Sequence, residues 1–150
     1  MDIHVSVGSG YMSLFAIIDL YSRYIVGWSL SNTMTAQWCK QTLEQAISEH
    51  GKPEIINSDQ GSQFTCPLWV EYLQGKQIKI SMDSKGRALD NNFIERLWRA
   101  VKQDYVYLHP AEDGIELNIG LQGFFKHYNY QKTHQGIGRV CPVELYKIAS

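Results

Sequence analysis

Residues 11–30, YMSLFAIIDLYSRYIVGWSL, contain two apolar runs separated by the short polar link Asp19–Arg23. Both runs are rich in β-branched and aromatic residues, which predicts strands, and a link this short favours antiparallel pairing. Immediately before them, residues 3–7 alternate between apolar and polar side chains and stop at the glycine turn 8–10. The start of the chain therefore predicts three consecutive strands that pair as an antiparallel meander.

From residue 35 onwards the apolar spacing changes from a period of two to that of a helix. Trp38, Leu43 and Ala46 lie at helical spacing, and Gly51-Lys52-Pro53 ends the segment. The remaining segments predict, in order, a strand at 54–58, a turn at 60–62, a helix at 67–73, a strand at 78–82, a helix capped by Asp90 or Asn91, a helix at 114–130 and a short helix at 142–148. Strands followed by alternating strands and helices predict a mixed α/β fold, with helices on both faces of one sheet and a single domain over residues 1–150.

Composition narrows the class of protein without indicating a function. A length of 150 residues with 44% hydrophobic side chains suits one globular domain, and a net charge of −1 predicts neither a nucleic-acid binder nor a membrane-surface protein. The three cysteines form no CxxC pair, so no disulfide framework or zinc knuckle is predicted, and a reducing, cytoplasmic location is expected. No apolar run reaches the ~18 residues of a membrane span, no secretion leader is visible, and no phosphate-cradling glycine motif or Ser-His-Asp arrangement stands out.

Two of the fifteen acidic residues stand out by their context. Asp59 follows a short apolar strand and precedes a glycine turn, where α/β sheets present polar groups to ligands. Glu95 lies one turn into a predicted helix, on a face that also carries Arg99 and Lys102. Phosphoryl transfer with two metal ions requires several carboxylates to converge on Mg²⁺ or Mn²⁺, and a strand end that faces a helix can meet this geometry. The alternative at this point is that Glu95 only forms a surface ion pair with Arg99.

Three segments and the C-terminal part of the chain carry a resemblance to a known family. They are IDLYSR at 18–23, NSDQGSQF at 57–64 and DNNFIERLW at 90–98, followed by Tyr128-Asn129-Tyr130, His134 and a tail that contains Pro142. These segments resemble the catalytic core of the retroviral-integrase superfamily, and most closely bacterial insertion-sequence transposases of the orfB type. The resemblance covers essentially the whole chain, and the 35 residues between Asp59 and Glu95 separate two independently matching blocks.

The resemblance implies a ribonuclease-H-like fold and a catalytic DDE triad, two aspartates and a glutamate that bind two Mg²⁺ ions, with Mn²⁺ as a substitute. Asp59 matches the second aspartate of the triad and Glu95 matches the glutamate. Asp2 matches the first aspartate, although His4 stands where the family commonly has threonine. Asp19, which closes the second predicted strand, is the rival candidate for the first position.

Basic residues concentrate in the second half of the chain. Residues 1–75 hold three Lys and Arg against seven acids, whereas residues 76–150 hold eleven against eight. Such residues at a nucleic-acid interface contact phosphates rather than read bases. The predicted DNA contacts are Lys85, Arg87, Arg96, Arg99 and Lys102, which flank Glu95, together with Gln63 near Asp59.

These features together predict the catalytic core of a DNA transposase, which performs metal-dependent strand cleavage and strand transfer on element ends and target DNA. The resemblance also implies a homo-oligomer, and no membrane or small-molecule substrate is expected. The N-terminal DNA-binding region of the family is expected to be absent from residues 1–150. Two alternatives stay open: an inactive, truncated remnant that binds DNA or regulates the full-length transposase, and a ribonuclease-H-type nuclease that acts on RNA–DNA hybrids.

Overall fold

A computed structural model of the chain describes residues 2–8, 12–33, 35–82, 92–102, 113–131, 138 and 140–149, and residues 2–8, 92–94 and 148–149 by their backbone only. Within these ranges the elements are β1 (Asp2–Gly8), β2 (Ser13–Asp19), β3 (Ile25–Ser31), α1 (Ala36–His50), β4 (Ile55–Ser58), α2 (Ser62–Thr65), α3 (Pro67–Gly75), β5 (Lys79–Met82), α4 (Asn92–Ala100), α5 (Gly114–Tyr130) and α6 (Pro142–Ala149). The mixed α/β class predicted from the sequence is confirmed.

The described strands form one mixed sheet in the order β3-β2-β1-β4-β5. Strand β2 pairs antiparallel with both β1 and β3, whereas β4 pairs parallel with β1 and with β5. The sheet therefore changes from antiparallel to parallel pairing at β1. In open α/β sheets ligands bind beyond the carboxyl ends of the parallel strands, so the end of β4 is the first place to look for a site.

Helices cover both faces of the sheet, and each face has its own hydrophobic core. Phe15 and Ile17 of β2 pack with residues of α1 and α3 on one face. Ala16 and Ile18 pack with residues of α4 and α5 on the other. Every residue of β2 is buried because both of its faces are covered, which explains the unbroken apolar run in the sequence. We call the two sides of the sheet the α1 face and the α4 face.

Most element boundaries agree with the sequence. The helix predicted at 114–130 is confirmed residue for residue, and Asp113 caps it by accepting a 2.8 Å hydrogen bond from the N–H of Glu116. The predicted strands and the helices at 67–73 and 142–148 are confirmed with ends shifted by one or two residues. The proposed caps of α4, Asp90 and Asn91, lie outside the described residues.

The short helix α2 occupies a place where the sequence predicted only a turn. Four residues are too few to show a helical period, so the sequence pattern could not reveal it. Phe64 is the only large apolar side chain in α2, and it is fully buried, with its ring centroid 5.2 Å from that of Trp69. Burial of this one side chain against the α1 face stabilises the helix.

The edge strand β3 is held by a side chain from α5. The side-chain Oδ1 of Asn129 accepts a 2.7 Å hydrogen bond from the N–H of Ile25, and its Nδ2 donates a 3.1 Å bond to the carbonyl oxygen of Ile25. Both atoms of Asn129 thus pair with the backbone as a neighbouring strand would. This pairing satisfies buried polar groups at the edge of the sheet and ties α5 to it.

Two further observations concern features expected from composition. All three cysteines are free, and burial raises the pKa of the Cys39 thiol to about 12. Within the described segments, no helix combines the length and the apolar character needed to cross a membrane.

Candidate active site

Asp59 stands directly after β4, at the carboxyl end of that strand. Its side chain is half-buried, and Oδ1 accepts a 2.8 Å hydrogen bond from the N–H of Gly61. This bond closes a local turn of the kind that aspartate favours. Among the described residues, Oδ2 of Asp59 accepts no hydrogen bond. The backbone therefore fixes one of the two carboxylate oxygens of Asp59.

The turn that follows Asp59 is anchored in the core. The carbonyl oxygen of Gly61 accepts a 2.9 Å hydrogen bond from the N–H of Phe64, whose side chain is fully buried. Gln63, a predicted DNA contact, is half-buried in the same segment. The turn predicted at residues 60–62 is closed by the bond between Asp59 and Gly61 and leads into α2, whereas the DNA contact predicted for Gln63 stays a prediction.

Glu95 is an exposed residue of α4. Leu97 and Val101 of the same segment are buried in the α4-face core, which fixes this segment to the sheet. Helix α4 contacts β1. Within the described part of α4, no ion pair joins Glu95 to Arg99. The surface-pair interpretation of Glu95 is therefore not supported.

Asp2 is the first residue of β1, and only its backbone is described. It pairs with Ile55 at the start of β4, and His4 pairs with Asn57. Asp59 follows the last residue of β4, Ser58, so Asp2 pairs near the start of β4 whereas Asp59 lies just past its end. The register puts Asp2 on the strand adjacent to β4 but not level with Asp59.

Asp19 closes β2, and hydrogen bonds within the following turn occupy its carboxylate. The residue is only 4% exposed. Its Oδ2 accepts a 3.1 Å bond from the N–H of Ser22 and a 2.5 Å bond from the Ser22 hydroxyl. Its backbone N–H donates to the carbonyl oxygen of Tyr24, and its carbonyl accepts from the N–H of Arg23, which has a left-handed φ of 66°. Asp19 thus holds the tight link between β2 and β3.

Strand alternation separates the two candidates for the first aspartate. Asp19 shares its alternation in β2 with Phe15 and Ile17, which belong to the α1-face core. It pairs with Ile3 of β1, and directly opposite positions share a face. The position of Asp2, one residue before Ile3, therefore alternates to the α4 face.

The predicted basic contacts lie only partly within the described residues. Arg96, Arg99 and Lys102 are exposed on α4 or directly after it, whereas Lys85 and Arg87 lie outside the described residues. Burial lowers the pKa of the Arg23 guanidinium, and the positive charge of Arg96 lowers it further, which indicates that the two arginines lie near each other. The exposed surface of α4 is therefore basic around Glu95.

The donor set suits a hard divalent cation, although the described side chains do not complete a metal site. No group of three His, Cys, Asp or Glu side chains that could hold a metal ion occurs among them, and the predicted third ligand, Asp2, is described only by its backbone. Asp59 and Glu95 offer carboxylate oxygens, the ligands that Mg²⁺ and Mn²⁺ prefer. Oδ2 of Asp59 is moreover not engaged by any described residue.

Comparison with known families identifies the fold that carries these residues. Residues 1–88 match a family model described as "Integrase core domain", and residues 76–142 match a second model with the same description. The chain belongs to the integrase core domain family. The first match to this integrase core includes Asp2, Asp19 and Asp59, and the second includes Glu95.

Curated relatives of this integrase core are insertion-sequence transposases. The chain is 30% identical over 153 residues to the transposase for insertion sequence element IS904 of Lactococcus lactis subsp. lactis (strain IL1403), covering 98% of this chain and 59% of the relative. It is 28% identical over 148 residues to transposase InsF for insertion sequence IS3A of Escherichia coli (strain K12), covering 95% of this chain and 50% of the relative. The chain thus spans about half the length of the curated relatives it matches.

Solved structures with the same fold are retroviral integrase cores. The HTLV-2 integrase catalytic core domain in complex with magnesium, in its dimeric form, superposes with a TM-score of 0.75 at 20% identity, covering 97% of this chain and 94% of that one. The catalytic core domain of BIV integrase superposes with a TM-score of 0.80 at 15% identity, covering 99% and 94%. The fold of this integrase core is therefore that of retroviral integrase catalytic cores, the ribonuclease-H-like fold implied by the sequence resemblance.

Proposed function

We propose that residues 1–150 form a single catalytic core of a DNA transposase, which cleaves DNA strands at element ends and transfers them into target DNA. The observation that carries this proposal is the Asp59 turn, which offers one carboxylate oxygen at the end of a parallel strand in an integrase core domain. The curated relatives are transposases, and two structural neighbours are integrase cores in complex with magnesium. These findings support a nuclease and strand-transfer chemistry at this end of β4.

Asp59 and Glu95 are the proposed catalytic metal ligands, and Asp2 is the third. A pair of Mg²⁺ ions, when bound, supplies activation of the attacking oxygen and charge stabilisation of the leaving one. Asp59 contributes Oδ2 because Gly61 holds Oδ1. Glu95 contributes an exposed carboxylate from a helix that the buried side chain of Leu97 fixes to the sheet.

The backbone register supports Asp2 rather than Asp19 as the first aspartate. Asp2 alternates to the α4 face, the side that carries Glu95, whereas Asp19 alternates to the α1 face. Ile56 of β4 belongs to the α1-face core, so continued alternation after β4 brings position 59 to the α4 face as well. The three proposed ligands then share one side of the sheet.

DNA is the proposed substrate and partner. The exposed Arg96, Arg99 and Lys102 surround Glu95 and would neutralise phosphates of a bound duplex. We also propose DNA contacts for Lys85 and Arg87, which precede Glu95 in sequence, and for Gln63, which follows Asp59. Since phosphate contacts carry no sequence information, these residues position DNA rather than select a site.

A homo-oligomer is proposed as the working form. The HTLV-2 integrase cores with this fold are described as dimeric and trimeric forms. On α5, Ile115 and Ile119 are 74% and 65% exposed and lie one helical turn apart. Exposed isoleucines on one helix face favour burial against another chain, and light scattering after size-exclusion chromatography tests this directly.

Nicking of plasmid DNA tests the proposed function. We expect nicking with Mg²⁺ or Mn²⁺, none with EDTA, and a loss of roughly 10³-fold or more in the Glu95→Gln variant, which keeps the side-chain shape but removes the charge that binds metal. Glu71→Gln is the matched control, because Glu71 is also an exposed helical glutamate but lies on α3, on the other side of the sheet. Equal nicking by the Glu95→Gln variant would contradict the proposal. Preferential cleavage of an RNA–DNA hybrid would favour the ribonuclease alternative. Failure to bind Mn²⁺ would favour the alternative of an inactive, truncated remnant.

A further inference from the structure

Gly61 lies in a backbone conformation that does not require glycine. Its φ of −60° and ψ of 153° belong to the extended region open to every residue. Gly51 and Gly138 differ, because their φ values of 92° and 79° favour glycine. Backbone conformation therefore does not explain the glycine at position 61, and the space around its Cα remains as the explanation.

The space that a side chain at position 61 would need is filled by the proposed metal ligand. A Cβ atom built on Gly61 would lie 2.9 Å from Oδ1 of Asp59, closer than such contacts occur in real structures. It would also lie 3.1 Å from Oε1 of Gln63. The Gln63 side chain is long and can turn aside, whereas Oδ1 of Asp59 is held by the N–H of Gly61 itself.

Neighbouring contacts leave the turn little freedom to relax. The carbonyl oxygen of Gly61 starts helix α2 by accepting from the N–H of Phe64, and the hydroxyl of Thr65 donates a 3.4 Å bond to the same oxygen. Phe64 is fully buried. A methyl group at position 61 would therefore displace the carboxylate of Asp59 rather than the backbone.

We propose that Gly61 is a positioning residue for Asp59: its N–H holds Oδ1 and its missing side chain leaves room for the carboxylate, so that Oδ2 stays directed to the metal ion. This inference rests on the proposed function, because it assigns Gly61 a role toward the proposed ligand. Residues that hydrogen-bond to a metal ligand and orient it typically lower metal affinity about 10- to 100-fold when they are mutated.

The Gly61→Ala variant tests this role, with Mn²⁺ binding followed by titration calorimetry on the whole chain. Alanine keeps both the N–H and the backbone conformation, so only the added methyl group acts. We expect Mn²⁺ affinity to fall about 10-fold or more. Gly75→Ala is the matched control, because nothing lies within 4 Å of a Cβ at that position, and its affinity should equal that of the wild type.

A double variant separates the two neighbours of the added methyl group. If crowding of Gln63 caused the loss, then Gly61→Ala combined with Gln63→Ala would regain wild-type Mn²⁺ affinity, and the inference would be wrong. If displacement of Asp59 is the cause, the double variant stays as weak as Gly61→Ala. Wild-type affinity in the single Gly61→Ala variant would also overturn the inference, while leaving the proposed function intact.

Amide hydrogen exchange in the wild-type chain provides a test that does not depend on the folding of a glycine variant. The N–H of Gly61 should exchange more slowly in the wild type than in Asp59→Ala, since the carboxylate accepts its hydrogen bond. Equal exchange in both would show that the bond does not hold Asp59. Two other results would instead overturn the proposed function. One is that the wild-type chain binds no Mn²⁺, and the other is that the Asp59→Ala variant binds Mn²⁺ as tightly as the wild type.

Discussion

Asp19 and Asp59 both stand at the end of a strand and both accept a hydrogen bond from a backbone N–H in the turn that follows. Their surroundings differ. Asp19 is 4% exposed, and both the N–H and the hydroxyl of Ser22 donate to its Oδ2. Asp59 is half-buried, and from the described part of the chain its side chain accepts one bond, from Gly61, through Oδ1.

The difference shows how the same residue type at similar local positions can hold a turn or offer a ligand. A buried carboxylate needs several donors to compensate for lost hydration, and those donors then occupy it. A half-exposed carboxylate needs only one internal bond, so its second oxygen can bind a cation. The contrast assigns Asp19 to its turn and supports the proposal that Asp59 is a metal ligand.

The largest expected effect is on activity, in Asp59→Ala. We expect plasmid nicking with Mn²⁺ to fall roughly 10³-fold or more because a proposed metal ligand is lost. The midpoint of urea unfolding should change little, since only one partly exposed hydrogen bond is removed. Nicking at the wild-type rate would show that Asp59 is not a catalytic metal ligand.

The second effect concerns stability, in Asp19→Ala. This change leaves the N–H of Ser22 and its hydroxyl without their acceptor, and we expect the free energy of unfolding to fall by about 3 kcal/mol, as bonds to a charged group are lost. Urea denaturation measures it. Mn²⁺ affinity of the folded protein should match the wild type, and a selective loss of Mn²⁺ binding would restore Asp19 as the first metal ligand.

A third change tests whether the edge strand β3, which follows the Asp19 turn, also depends on a buried side chain for its stability. Asn129→Ala removes both bonds to Ile25, and we expect it to lower the free energy of unfolding by about 2 kcal/mol because buried backbone groups lose their partner. Asn118→Ala on the same helix removes an exposed bond to Gln122 and should cost under about 0.5 kcal/mol. Equal losses in the two variants would argue against a special role for the β3 edge.

The smallest effect should appear in Arg99→Ala, which tests the basic surface beside the proposed site. We expect DNA affinity to fall a few-fold, and the slope of log affinity against log salt to decrease by about 1, as one phosphate contact is lost. Fluorescence anisotropy over a salt series gives both numbers. Lys40→Ala on α1 is the control on the other side of the sheet, and an equal change there would mean that DNA binds without regard to the α4 face.

Much of this fold could be predicted from the sequence because most of its strands and helices follow from the spacing of apolar residues along the chain. The apolar run of β2 and the helix at 114–130 follow from periodicity, whereas the cap of that helix at Asp113 was seen only in the structure. Helix α2 was missed because its stability comes from one side chain, Phe64, buried by distant residues. The close approach of the Asp59 carboxylate to Gly61 could not be predicted for a similar reason, since it is visible only in three dimensions.

Sequence by itself determined the order of the strands and of the helices other than α2, the family resemblance, and the choice of Asp59 and Glu95 as candidate ligands. Only the tertiary structure decided that Asp19 is buried in its own turn and that its strand position faces α1 rather than α4. The physical reason is that period and capping depend on neighbours along the chain, whereas burial, the face of a strand and the partners of a carboxylate depend on what the sheet packs against.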